Sequence, residues 1–167
     1  MSVSLAQRQL AAVASVVVVS DVLTKQVALA MLPPPGLTVH VLGEYVRFSL
    51  AFNRGAAFGM TVGPWSRVVF SVFALAMVAG LWMYAGRLFA PLTRLVIAFG
   101  LVAGGAVGNL IDRVRWDRGV VDFIDIGVGL TRFWTFNLAD SAITIGAVLL
   151  LWPSPAKPTA PPAASTP

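Results

Sequence analysis

The sequence predicts an all-α membrane protein of four transmembrane helices with a small β-sheet outside the membrane, on three observations. The 167 residues are 57% hydrophobic and only 11% charged, with a mean hydropathy of +0.83, whereas a soluble domain carries about 25% charge. Four apolar stretches, at about residues 9–32, 68–85, 95–111 and 136–152, read as spans of a hydrocarbon core roughly 30 Å thick. Between the first two, residues 37–59 change from helical to alternating period, which is strand spacing. One domain over residues 1–152 is expected, followed by a proline- and alanine-rich tail at 153–167 whose composition predicts disorder.

The first apolar stretch follows Arg8 and has the length of a span. A cleaved signal peptide is the competing reading, but Asp21 and Lys25 interrupt the would-be cleavage region. They stand at i and i+4, one above the other on a helix face, so they can neutralise each other while locking this helix to a neighbour. Pro33, Pro34, Pro35 and Gly36 stop the helix, because proline lacks a donor and disfavours helix in the residue before it. Val39 and Val41, then Val46, Phe48, Leu50 and Phe52, alternate with more polar positions around a turn at Leu42-Gly43-Glu44. This sheet ends in the glycine-containing run N-R-G-A-A-F-G, which suggests close backbone approach.

The second span, 68–85, is uninterrupted, and a short basic loop with Pro91 joins it to the third. In the third, Gly100, Gly104 and Gly108 recur every four residues, a small-residue face for close helix packing, with Gly105, Asn109 and Asp112 or Arg113 on the next stripe. Trp65, Trp82, Tyr84, Trp134 and Trp152 mark span ends as an interfacial aromatic belt. Four spans put both termini on one side. Lys/Arg counting would place the loop carrying Arg47, Arg54 and Arg67 and that carrying Arg113, Arg115, Arg118 and Arg132 in the cytoplasm. Several of those arginines lie among acids, and orientation stays open on physics alone.

Five of the seven acidic residues, Asp112, Asp117, Asp122, Asp125 and Asp140, fall between Gly104 and Ser141. Carboxylates beside hydrocarbon are costly and mark function by default. Asp117 in R-W-D-R, and Asp112 beside Arg113, are read as structural ion pairs. Asp140 has no basic residue after it until Lys157, and Asp122 sits in an apolar setting. Two carboxylates brought together at low dielectric share a proton, so one can activate water while the other protonates. The chain has no cysteine and one histidine, His40, far from the acids, which excludes disulfides, thiol nucleophiles and thiolate metal sites. Neither a cofactor nor a metal is expected. The +5 charge is scattered without the basic stripe of a nucleic-acid binder.

The motifs D-V-L-T-K at 21–25, N-R-G-A-A-F at 53–58, G-G-A-V-G-N-L-I-D-R at 104–113, V-V-D-F-I at 120–124 and F-N-L-A-D-S at 136–141 closely resemble those of the bacterial lipoprotein signal peptidases, the type II signal peptidases. The resemblance covers the chain from the first span to the fourth, and the proline-rich tail is its one departure. It implies a four-span aspartyl endopeptidase of the cytoplasmic (inner) membrane, with both termini cytoplasmic, the sheet extracytoplasmic and the active site at the outer leaflet, against the arginine count. It implies removal of the signal peptide from diacylglyceryl-modified prolipoproteins, before the lipidated cysteine. It assigns the catalytic dyad to Asp122 and Asp140, and support or substrate binding to Asn53, Gly55, Gly105, Asn109, Asp112, Arg113, Asn137, Asp21 and Lys25. Partners are then prolipoprotein signal peptides and membrane lipids, with a monomeric enzyme. Two rival readings are a divalent-metal lipid headgroup transferase using Asp112, Asp122, Asp125 and Asp140, and a proton-coupled transporter with Asp21, Lys25 and Asp140 as a relay.

Overall fold

Ser4 begins the first helix before the apolar stretch does. Its hydroxyl accepts from the Gln7 amide (3.2 Å) and the Gln7 side chain accepts from the Ser4 amide (2.9 Å), a capping box. The resulting α1 spans Leu5–Met31 and stops at the prolines. The structure, a computed structural model, describes residues 3–55, 61–88 and 93–153. The tail expected to be disordered, from 154 onward, lies outside the described residues, as do the end of the N-R-G-A-A-F run and Pro91.

Strands β1 (Thr38–Leu42) and β2 (Val46–Asn53) form the expected hairpin, with Gly43 at φ 51° in its turn. Helices α2 (Ser66–Ala85) and α3 (Arg94–Arg115) follow. The sheet then extends beyond the range 37–59. The V-V-D-F-I-D stretch is β3 (Val120–Val128), joined by a tight turn to β4 (Thr131–Arg132), and the antiparallel order is β1-β2-β3-β4. A short β-branched run between turns suits a buried strand, and this signal in Val120, Val121 and Ile124 outweighs the proximity of the next helix. Helix α4 (Leu138–Leu151) completes the chain.

The protein is an integral membrane protein: α1, α2 and α3 are long and apolar enough to cross a bilayer. Helix α4 is as apolar but has 14 residues, about 21 Å at 1.5 Å per residue. Helix α3 is the central one, with 67% of its apolar stretch buried inside the protein against 22% for α1 and 11% for α2. The small residues of α3 make this possible. A Cβ on Gly100 or Gly104 would stand 2.6–2.7 Å from Val13 or Val17 of α1, so the expected packing role of this face holds. Gly105 turns the other way: its Cβ would lie 2.4 Å from the Ala139 carbonyl oxygen of α4. Close approach of α3 to α4 at this level sets where Asp140 stands.

Candidate active site

Asp122 lies on β3 opposite Ala51 of β2, and its side chain is buried. Asp140 occupies the third position of α4, where the capping geometry is reciprocal. The Asn137 side chain accepts from the Asp140 amide (2.9 Å), and Asp140 Oδ2 accepts from the Asn137 amide (3.2 Å). The spacing N-L-A-D is that of an N-cap and its N3 partner, and it could have been read as such from the sequence.

Two asparagines join the carboxylates. Asn137 Nδ2 donates to Asp122 Oδ1 (2.7 Å) and to Asn109 Oδ1 (3.0 Å), while Asn109 Nδ2 donates to Asp140 Oδ1 (2.8 Å). The Asn53 side chain also hydrogen-bonds Asp122 and accepts from the Gly55 amide (2.9 Å). Neither Asp122 nor Asp140 forms an ion pair among the described residues. Burial first, then the neighbouring Asp140 carboxylate, push the Asp122 carboxyl from its ordinary 3.8 up to about 7, while donors from Asn137 and Asn53 and the charge of Lys25 pull the other way. A carboxyl raised to about 7 beside a second carboxylate can keep or release its proton near neutral pH, which suits acid–base work on a peptide.

The pair opens on space. A cavity of ≈ 570 Å³ is lined by Asp122, Asp140, Phe52, Asn53, Phe133, Trp134, Phe136 and Ile145, among others. A second, of ≈ 450 Å³, lies among α2, α3 and α4 and reaches Asn109 and Asp140 past Phe70, Met77, Ile143 and Leu151. Both are largely apolar, with the carboxylates and amides as their few polar groups, the usual make-up of a ligand site. The sequence places Trp134 in the interfacial belt and Phe136 at the start of the fourth span, but the wall they form with Phe133 goes unread because it lies on the irregular link into α4, where no period marks a face.

The remaining candidates separate from the pair. Lys25 bridges Asp21 (2.7 Å) and Asp112 (2.9 Å) in a buried cluster. Asp21 Oδ1 accepts from the Ala139 amide (2.9 Å), which fastens α1 to α4 as its spacing suggested. The expected ion pair of Asp112 with Arg113 does not form. Adjacent helical positions point about 100° apart, so Asp112 faces Lys25 and accepts from the Val121 amide (3.0 Å), while Arg113 donates to Gly55 O (2.8 Å) and Asn109 O (3.3 Å). Gly55 therefore serves through its carbonyl. Asp117 pairs not with its own run but with Arg67 of α2, and Asp125 pairs with Arg132 (2.9 Å). Asp112 and Asp125 are thus committed to cations away from Asp122 and Asp140. Among the described residues no three His, Cys, Asp or Glu side chains are grouped to hold a metal ion. Gly119, not singled out by sequence, has φ 100° and passes so close to Asn53 that a Cβ would stand 2.4 Å from its carbonyl oxygen.

The family described as Signal peptidase (SPase) II matches residues 13–154. The chain is 37% identical over 146 residues to the lipoprotein signal peptidase of Chlorobium phaeobacteroides, covering 83% of this chain and 84% of that protein. It is 39% identical over 151 residues to that of Mycobacterium bovis BCG, covering 86% and 69%. A solved structure described as a bacterial membrane enzyme is similar with a TM-score of 0.73 and 31% identity, over 83% of this chain and 82% of that one.

Proposed function

The chain belongs to the signal peptidase II family, and on that premise we propose that it is an aspartyl endopeptidase that removes the signal peptide from diacylglyceryl-modified prolipoproteins, cleaving before the lipidated cysteine. Membership makes it a membrane-bound protease. The observation that carries the finer reading is the amide-linked pair Asp122 and Asp140 on the wall of one cavity.

In this reading the Asp140 carboxylate takes a proton from a water whose oxygen attacks the scissile carbonyl carbon. Protonated Asp122 gives its proton to the carbonyl oxygen, and a gem-diol forms. On collapse a gem-diol hydroxyl returns a proton to Asp122, Asp140 delivers its proton to the leaving amine, and the C–N bond breaks. The upward shift of Asp122 supports its assignment as the acid. Arg113, through Gly55, holds the end of β2 beside the cavity, where an extended peptide needs its backbone groups satisfied. The apolar cavities on either side of Asp140 suit acyl chains and an apolar signal segment.

Helix α4 is the fourth span in this reading, both termini are cytoplasmic, and the pair and sheet lie at the outer leaflet. The enzyme works as a monomer without metal or cofactor. Purified protein incubated with a diacylglyceryl-modified prolipoprotein should produce the gel shift of a released signal peptide. Turnover should persist after thorough chelation; loss on chelation with specific recovery on magnesium would favour the metal reading. A reporter near Gly43 should read external, and reporters at Arg8 and after Pro167 cytoplasmic.

A further inference from the structure

We propose that Lys25, whose ammonium donates to Asn109 rather than to either reacting carboxylate, is a positioning residue for the dyad: with Asn137 it fixes which way the Asn109 amide faces and so presents an N–H donor to Asp140. The inference rests on the reading of Asp122 and Asp140 as the reacting pair.

The argument is one of donors and acceptors. A lysine ammonium has three donors and no acceptor. Those of Lys25 meet Asp21 Oδ2 at 2.7 Å, Asp112 Oδ2 at 2.9 Å and Asn109 Oδ1 at 3.1 Å. The amide of Asn109 must therefore turn its oxygen to α1, since the reverse would set an NH2 against an ammonium. Its NH2 is thereby directed to Asp140 Oδ1 at 2.8 Å. Asn137 is fixed by the same logic from the other side. The Asp140 amide can only donate, so it claims Asn137 Oδ1 (2.9 Å), which leaves the Asn137 NH2 for Asp122 Oδ1 (2.7 Å) and Asn109 Oδ1 (3.0 Å).

Two groups that can only donate, one ammonium and one backbone N–H, thus set both amides so that each carboxylate receives a donor. Lys25 and Asn109 are buried, and the Asn109 oxygen is met by Lys25 and Asn137. Asp21 and Asp112 have a second purpose on this view: they hold the ammonium centred on Asn109.

The charged groups facing the dyad are Asp21 and Lys25 from α1, Asp112 and Arg113 from α3, Asp122 from β3 and Asp140 from α4; β2 contributes the neutral Asn53. Loss of Lys25 leaves the Asn137 NH2 as the remaining donor to the Asn109 oxygen, so the Asn109 NH2 is aimed at Asp140 less firmly. A weaker donor to the carboxylate disfavours the ionised pair, so the pH–rate profile moves to higher pH.

The test uses the full chain in nanodiscs with a diacylglyceryl prolipoprotein. Lys25→Met alone strands two carboxylates, so it is combined with Asp21→Asn; the cluster then keeps its charge, +1 −2 in the parent and −1 in the double variant. The expected result is a folded protein with KM close to the parent's, kcat lower by at least about tenfold and the kcat/KM profile displaced upward by about half a pH unit or more. Asp21→Asn with Lys25→Gln, which restores a donor for Asn109, should recover most of kcat. A double variant with the parent's kcat and an unmoved profile overturns the inference. Should that protein fail to fold, Asn109→Asp decides: Lys25 would hold the new carboxylate and Asp140 would lose its donor, so kcat must fall and the profile rise, and parent-like kinetics overturn the proposal. Asp140→Asn is run beside these. Parent-like turnover in that variant removes the dyad reading and this inference with it, whereas an inactive Asp140→Asn with parent-like Lys25 variants removes this inference alone.

Discussion

Two pairs of carboxylates meet around the ends of α3 and α4, and they are held in opposite ways. Asp21 and Asp112 share the ammonium of Lys25. Asp122 and Asp140 share only amides, those of Asn137 and Asn109. A cation at ion-pair distance offsets part of the cost of burying a carboxylate and ties elements together. An amide supplies a donor without cancelling charge, so the second pair keeps its mutual repulsion and its proton can move. The difference separates scaffold from chemistry within one hydrogen-bonded network, because Asn109 touches both centres.

The largest expected effect is on turnover at the amide-held pair. Asp122→Asn and Asp140→Asn should each lower cleavage by about 10²–10⁴-fold or more while leaving the protein as stable as the parent, because replacing one of two repelling carboxylates relieves strain. Cleavage per folded molecule beside thermal unfolding checks this. If Asp140→Asn proves less stable than Asp21→Asn, the division between the two centres fails.

Next comes stability at the lysine-held pair. Lys25→Met leaves two buried carboxylates without their cation and should cost about 3–5 kcal/mol. Asp21→Asn and Asp112→Asn each leave Lys25 one partner, so each should cost clearly less than Lys25→Met. Denaturant unfolding in detergent ranks the three, and equal losses would mean that the cluster is not shared.

A smaller effect concerns pH. The Asp122 carboxyl stands at about 7 in the folded protein against an ordinary 3.8, so the folded state binds its proton more tightly. Its contribution to stability is fully present below about pH 4 and is lost as pH rises through about 7. The advantage of Asp122→Asn over the parent should therefore widen across that window and level off above it. Unfolding midpoints of the two proteins from pH 4 to 8 measure the gap, and a constant gap would show that Asp122 is ionised throughout.

The smallest effect on turnover is expected at Asp125, three positions along the same strand, buried but paired with Arg132. Asp125→Asn should reduce stability by about 1–3 kcal/mol and leave turnover near the parent's, as the prolipoprotein gel shift would record. A loss of turnover comparable with that of Asp122→Asn would extend the functional pair along β3.

The sequence by itself determined the membrane class, the helix bounds to within a turn, the first hairpin and the Asp21–Lys25 pairing. Each of these follows from local physics: apolar length, proline stops, period-two alternation, and i,i+4 geometry within one helix. The motifs likewise singled out Asp122, Asp140, Asn109 and Asn137 as residues of one site. Only the tertiary structure decided who faces whom. Asp112 looked like the partner of Arg113, its neighbour in the chain, yet it meets Lys25 of α1, because adjacent helical residues diverge and packing across Gly104 and Gly108 brings α1 against α3. Strand β3 and the aromatic wall of the cavity were equally hidden, since a strand is identified by the partner it pairs with and a pocket by walls from separate elements. Those choices rest on contacts between residues far apart in sequence, which no local pattern encodes.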